Sequence, residues 1–183
     1  TFTHGRYAIT GGLGGLGLRA TRMLVDHGAC QVVLSSRSGL VSTAALAAQN
    51  GTAFWAMACD VGDGADAFAL LARTPFVGVL HAAGALYDKM LRTMASGDVD
   101  ASFAPKALAA SHVQAIVMST PLEALCLFSS VASTFGSVGQ GNYAAANAYM
   151  DALARCRRSR AVLGSSLQIP AVRGAGMGAT AFG

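Results

Sequence analysis

Short runs of consecutive apolar residues alternate along this chain with stretches whose apolar positions recur at helical spacing. Six runs have strand length: Arg6–Thr10 ("RYAIT"), Gln31–Ser36 ("QVVLSS"), 52–58 ("TAFWAMA"), 77–83 ("VGVLHAA"), 125–131 ("LCLFSSV") and 166–170 ("SLQIP"). Their valine and leucine content is what strands buried on both faces require. Between them the pattern predicts helices over 15–27, 43–49 and 65–72, a longer helical region ending near 118, and a helix that opens in "GQGNYAAAN". Strands spaced about 20–30 residues apart, each followed by a helix, predict βαβ units and a parallel sheet. Right-handed crossovers then place helices on both faces. The expected fold class is α/β, a Rossmann-like doubly wound parallel sheet.

Composition narrows the picture. At 183 residues the chain is long enough for one domain with a substantial core. It is 53% hydrophobic and 12% charged, with a mean hydropathy of +0.47. Even so, no uninterrupted apolar run approaches the ~20 residues of a spanning helix. The first residues lead straight into a strand-like run, so we read no signal peptide and expect a cytoplasmic protein without membrane contact. Cys30, Cys59, Cys126 and Cys156 are scattered singly, and His4, His27, His81 and His112 lack ligand spacing, which argues against a metal site or a disulfide framework. The net charge of +4 is concentrated in "RCRRSR", from Arg155 to Arg160. Cations in the last turn of a helix offset its negative end, and without an aromatic platform they do not argue for a nucleic-acid partner.

"TGGLGGLG", Thr10 to Gly17, falls between the first strand and the first helix. Glycines there permit a tight turn and bring backbone close to a pyrophosphate at the helix N-terminus. Gly11, Gly12, Leu13, Gly14, Gly15, Leu16 and Gly17 are therefore expected to hold a dinucleotide. After the second strand, NAD sites place an acidic residue on the ribose. This chain reads Ser35-Ser36-Arg37-Ser38 instead. A guanidinium and hydroxyls suit a 2′-phosphate, so Ser36 and Arg37 select NADP(H). Asp60 and Val61, at the end of the third strand, suit the adenine. Ala82, Ala83 and Gly84, after the fourth, are small enough to admit ribose and nicotinamide against the backbone. Cys59 and His81 are given no chemical role.

A reductase must protonate the oxygen of the carbonyl that receives hydride. A tyrosine can do so once its pKa, about 10 in water, is brought down, and a neighbouring lysine ammonium lowers it by roughly 1–3 units. Ser129 and Ser130 end the fifth strand, at the sheet edge where open α/β folds bind ligands. Tyr143 begins the next helix over that edge, with Asn147 one turn on. The two lysines are Lys89 and Lys106, and Lys106 sits in "FAPKALAA" on the helix before the serine strand, able to reach the tyrosine.

Together "TGGLGGLG", "SSRSG", "CDV", "HAAG", "APK", "LFSSVAS" and "GQGNYAAANAYMDALA" resemble the ketoreductase domains of modular polyketide synthases and related fatty-acid synthases. These are short-chain dehydrogenase/reductases in which lysine and asparagine have exchanged places. The resemblance implies a tetrad of Lys106, Ser130, Tyr143 and Asn147. Tyrosine protonates, serine orients the carbonyl, lysine holds the nicotinamide ribose and tunes the tyrosine, and asparagine supports a helix distortion and a water path. The implied substrate is a β-ketoacyl chain on the phosphopantetheine of an acyl carrier protein, and neighbouring synthase domains are implied partners. A non-reducing NADP-binding scaffold, or an epimerising domain, is the alternative.

Three departures stand out. Where the family carries "NWG" framing the nicotinamide amide, this chain reads Gln168-Ile169-Pro170, and Pro170 occupies the place of a proline in simpler short-chain reductases. The family's "LDD" is Leu86-Tyr87-Asp88, and Phe135 stands at its tryptophan marker, so the retained Asp88 inclines the expected product to the D-hydroxy hand. Finally, the glycine-rich stretch after Val172 reads as a cut within a larger synthase, after the sixth strand and before the family's last strand and lid helix.

Overall fold

In the computed structural model, residues 4–43, 54–72 and 74–172 are described. Six strands form one parallel sheet in the order β3-β2-β1-β4-β5-β6. They are β1 (Arg6–Thr10), β2 (Gln31–Ser36), β3 (Trp55–Ala58), β4 (Gly78–His81), β5 (Ala124–Ser130) and β6 (Ser165–Ile169). The expected α/β doubly wound sheet is what the chain forms. The expected helix at 43–49 and the start of the third run lie outside the described residues.

Burial follows sheet position. All four residues of β4 are buried, as are the last four of β1, whereas β5 alternates. Edge strand β3 is exposed at every position, with Trp55 67% accessible, so the apolar run read as covered on both faces is open on both over its described residues. Two apolar layers sandwich the sheet. One gathers Ile9, Leu24, Val32 and Leu34; the other gathers Val79, Leu125, Leu127, Val113 and Met150.

Strand order reverses between β1 and β4, whose register pairs Thr10 with His81. Such a switch point opens a crevice at the carboxyl ends of the strands. Helix α1 (Gly15–Asp26) starts there, and its N-cap, Gly14, has no side chain to satisfy the first-turn amides. By contrast, α2 (Gly64–Leu71) is closed by Asp63, whose carboxylate accepts from the Ala65 and Asp66 amides.

The longer helical region is one path with a defect. α3 (Ser96–Phe103) passes into a π turn over Ala104–Leu108, and α4 (Ala109–Ile116) continues. Pro105 has no N–H, and an α-helix through it would lose a ladder bond; the wider turn absorbs that loss. After β5 come a short helix α5 (Ala132–Phe135) and the long α6 (Gly141–Ser159). Among the described residues no helix is long and apolar enough to cross a membrane.

Candidate active site

The glycine loop is built by close approach. Gly11 has φ +67, and a Cβ there would stand 2.4 Å from Ala83 Cα. A Cβ on Gly17 would stand 2.5 Å from Gly12 Cα, so the first turn of α1 packs directly on the loop. The Gly12 amide donates to Ser35 O at 3.0 Å, tying the loop to β2. What remains is an uncapped helix N-terminus behind bare backbone, which favours an anion.

A cleft of ≈ 630 Å³ opens over this loop. Of the residues assigned to the dinucleotide, Gly11, Gly14, Gly15, Leu16, Gly17, Ser36, Arg37, Asp60, Val61, Ala82, Ala83 and Gly84 line it. Gly12 and Leu13 do not; Gly12 is buried beneath the loop and Leu13 packs on the core. Pro170, past the end of β6, is exposed and also off the lining. Asp60 Oδ1 accepts the Gly62 amide at 3.0 Å, which fixes the carboxylate at the rim. Cys59, Ala85, Tyr87, Ala101, Ala104 and Pro105 complete the wall. Burial and the neighbouring Asp66 and Asp60 push the Cys59 thiol up to about 11, so it packs rather than reacts.

Lys106 and Tyr143 lie off this lining, directly after Ala104 and Pro105 in one case and on α6 in the other. The π turn sends Lys106 inward, where it is 2% accessible. Its Nζ donates to Phe128 O at 3.0 Å and stands over the Tyr143 ring, 5.2 Å from the centroid. Burial lowers its pKa to about 8, against the pull of Asp151. Lys89, the other lysine, is spent on the surface in an ion pair with Asp98 at 2.9 Å.

The phenol of Tyr143 does not follow the expected direction. Burial raises its pKa; the nearby Ser130 and Asn147 side chains act to lower it, and Asp88 adds to the rise. An ammonium over the ring face does not outweigh the loss of water around the oxygen. The phenol therefore stays protonated at neutral pH.

Asn147 is fully buried and donates from Nδ2 to Tyr143 O at 2.8 Å, one turn back on its own helix. Its Oδ1 has no hydrogen-bond partner among the described residues. α6 runs unbroken through this position, so the helix distortion attached to Asn147 is found instead around Lys106.

Several supporting residues escaped the sequence reading. Asn142 holds the Tyr87 and Asp98 carbonyls at 3.0 and 2.9 Å while accepting the Tyr143 amide, which seats the start of α6 against the cleft wall. Asp151, two turns beyond Tyr143, is 4% accessible and accepts from Ser133 Oγ at 2.7 Å and Gln168 Nε2 at 2.8 Å. Thus Gln168, the first residue of the departing "QIP", joins β6 to α6 and α5. Asp88 accepts Gln140 Nε2 at 3.0 and 3.2 Å, and Phe135 is 82% accessible on α5. Burial of His81, 0% accessible between β4 and the π turn, lowers its pKa to about 4, which makes the imidazole neutral.

The model of the KR domain matches residues 5–174. The chain belongs to the KR domain family. This KR domain is 42% identical over 174 residues to the spectinabilin polyketide synthase system protein NorA' of Streptomyces orinoci, covering 89% of the chain and 5% of that protein. It is 40% identical over 185 residues to the pikromycin polyketide synthase component PikAIII of Streptomyces venezuelae, covering 96% of the chain and 12% of the relative. Among solved structures, one described as A-type ketoreductases from a modular polyketide synthase superposes with a TM-score of 0.89 at 38% identity, covering 95% of this chain and 39% of that one. The first ketoreductase of the tylosin synthase superposes at 0.83 with 35% identity, covering 90% and 38%. The chain thus spans well under half of these proteins, and it is a KR domain of the modular type I polyketide synthase kind with a fold like that of the short-chain dehydrogenase/reductases.

Proposed function

We propose that this KR domain reduces a β-ketoacyl thioester, carried on the phosphopantetheine of an acyl carrier protein, to the β-hydroxyacyl thioester with NADPH. The observation that carries this reading is the buried Lys106 Nζ over the Tyr143 ring, 5.2 Å from its centroid, with Ser130 and Asn147 acting on the same phenol. A solvated lysine or a packing tyrosine needs no such convergence.

The bare glycine loop and the uncapped α1 N-terminus fit a pyrophosphate, and Arg37 with Ser36 fits a ribose 2′-phosphate. NADPH, when bound, supplies the hydride that goes to the carbonyl carbon. Tyr143 gives its phenolic proton to the carbonyl oxygen, which Ser130 holds by a hydrogen bond. As negative charge builds on the phenol, the Lys106 ammonium stabilises it. Asn147 keeps the first turns of α6 in place through its bond to the Tyr143 carbonyl.

Consumption of NADPH by the full-length protein with a β-keto thioester tests the reading. Tight nucleotide binding without turnover would favour the scaffold, and exchange of an α-proton without reduction would favour the epimerising domain. The D-hydroxy product remains the expectation attached to Asp88, and chiral chromatography finding the L alcohol would overturn it.

Cofactor choice has its own test. Arg37 is exposed on the cleft wall, so changing it perturbs little of the fold. Arg37→Asp should lower the kcat/KM preference for NADPH over NADH on the order of a hundredfold, because a carboxylate repels the phosphate and suits the free hydroxyl. An unchanged preference would remove Arg37 from the site.

A further inference from the structure

We propose that His81 is a positioning residue that holds the Lys106 backbone in register with the root of the glycine loop; this rests on the reductase reading above. Its ring bridges two groups far apart in sequence. Nδ1 lies 2.6 Å from Thr10 Oγ1 and Nε2 lies 3.1 Å from Lys106 O.

A carbonyl oxygen only accepts, so Nε2 carries the hydrogen. The ring is neutral, so Nδ1 offers a lone pair and Thr10 donates its hydroxyl. Both partners are committed: Thr10 is 0% and Lys106 2% accessible, and neither has water as a substitute.

The location gives the bridge its consequence. Thr10 is the last residue of β1 and adjoins Gly11, whose backbone touches Ala83. His81 is the last residue of β4 and adjoins Ala82 and Ala83 on the cleft wall. Lys106 lies in the π turn, where the helix ladder is irregular. One imidazole therefore fixes the carbonyl of the residue whose ammonium must stand over Tyr143, and refers it to the loop that faces the nucleotide. A small rotation of that peptide swings the tip of a four-carbon side chain much further than it moves the carbonyl.

The experiment compares His81→Asn with His81→Gln in the full-length protein. Gln places an amide nitrogen near the Nε2 position and keeps a donor for Lys106 O; Asn is too short to reach it. His81→Asn should lose about tenfold or more in kcat, within the roughly hundredfold that a 1 Å misplacement of a reacting group can cost, with thioester KM changed by less than about twofold. His81→Gln should recover most of the loss, and NADPH affinity by fluorescence should fall and recover in parallel. A folded His81→Asn with parental kcat and nucleotide affinity overturns the proposal, as does a Gln variant no better than Asn.

Should neither substitution fold, imidazole nitrogen spectra of the parent decide. The neutral Nε2–H tautomer at pH 6 supports the bridge and Nδ1–H overturns it. The nucleotide readout separates the two readings: a parent without thioester reduction sinks the function, whereas the parallel change in affinity upholds the bridge.

Discussion

Tyr143→Phe should abolish the proposed reduction of the keto thioester while leaving nucleotide binding intact. The Tyr143 phenol combines a proton to give at neutral pH with a place beside Ser130 and Asn147. Phenylalanine keeps the ring under Lys106 Nζ and fills the same buried volume, so the variant isolates the hydroxyl. General acid catalysis by a positioned side chain contributes about 10²–10⁴-fold, and kcat should fall by that factor. Stability should change by less than about 1 kcal/mol, because a single hydroxyl with modest net hydrogen-bond value is lost. Steady-state kinetics with a β-keto thioester, paired with NADPH titration by fluorescence, reads both quantities. A variant retaining more than about a tenth of the parental kcat would show that another donor protonates the oxygen.

Much of this arrangement was legible because local rules and global fold agree. β1 and β2 coincide with the runs Arg6–Thr10 and Gln31–Ser36, since a glycine turn or a polar turn closes each apolar run sharply. The glycine loop was legible for the same reason: its residues do one backbone job at one place. Lys106 was legible as one of two lysines on the right helix, and its π turn announces itself only through Pro105. His81 and Asp151 were not legible. His81 finds its partners 71 and 25 positions away, and Asp151 meets Gln168 17 positions on, distances that the sheet order sets and no periodicity encodes. The direction of the Tyr143 shift was misread for a related cause. Proximity to a cation can be guessed from topology, but the loss of solvent around a phenol depends on how α6 packs over β5.

Lys106→Met should destroy activity and stabilise the fold at once. A lysine unfolded in water titrates at 10.5 and this one, buried, at about 8. Between those values the unfolded chain binds the extra proton, so stability rises as pH rises from about 8 to 10.5; below about 8 the full deficit is present. The difference of about 2.5 units caps that deficit at about 3 kcal/mol. Methionine fills similar volume without charge, giving up the bond to Phe128 O and the attraction of Asp151. Net stabilisation at pH 7 should then be about 1–2 kcal/mol, in line with buried charges that cost more than their partners return. It should vanish as pH passes 10.5, where the parental lysine is neutral in both states. Activity moves the other way: without the ammonium the developing phenolate has no counter-charge, and kcat should drop by about 10²-fold or more. The parent itself should lose reduction rate as pH rises through about 8, when Lys106 gives up its proton, and Lys106→Met should lack that limb. Urea unfolding at pH 7 and pH 10.5, alongside kcat against pH, measures each part. A Met variant less stable than the parent at pH 7 would mean that the buried ammonium is held by more than Phe128 O and Asp151, and that its place over Tyr143 serves the fold before the chemistry.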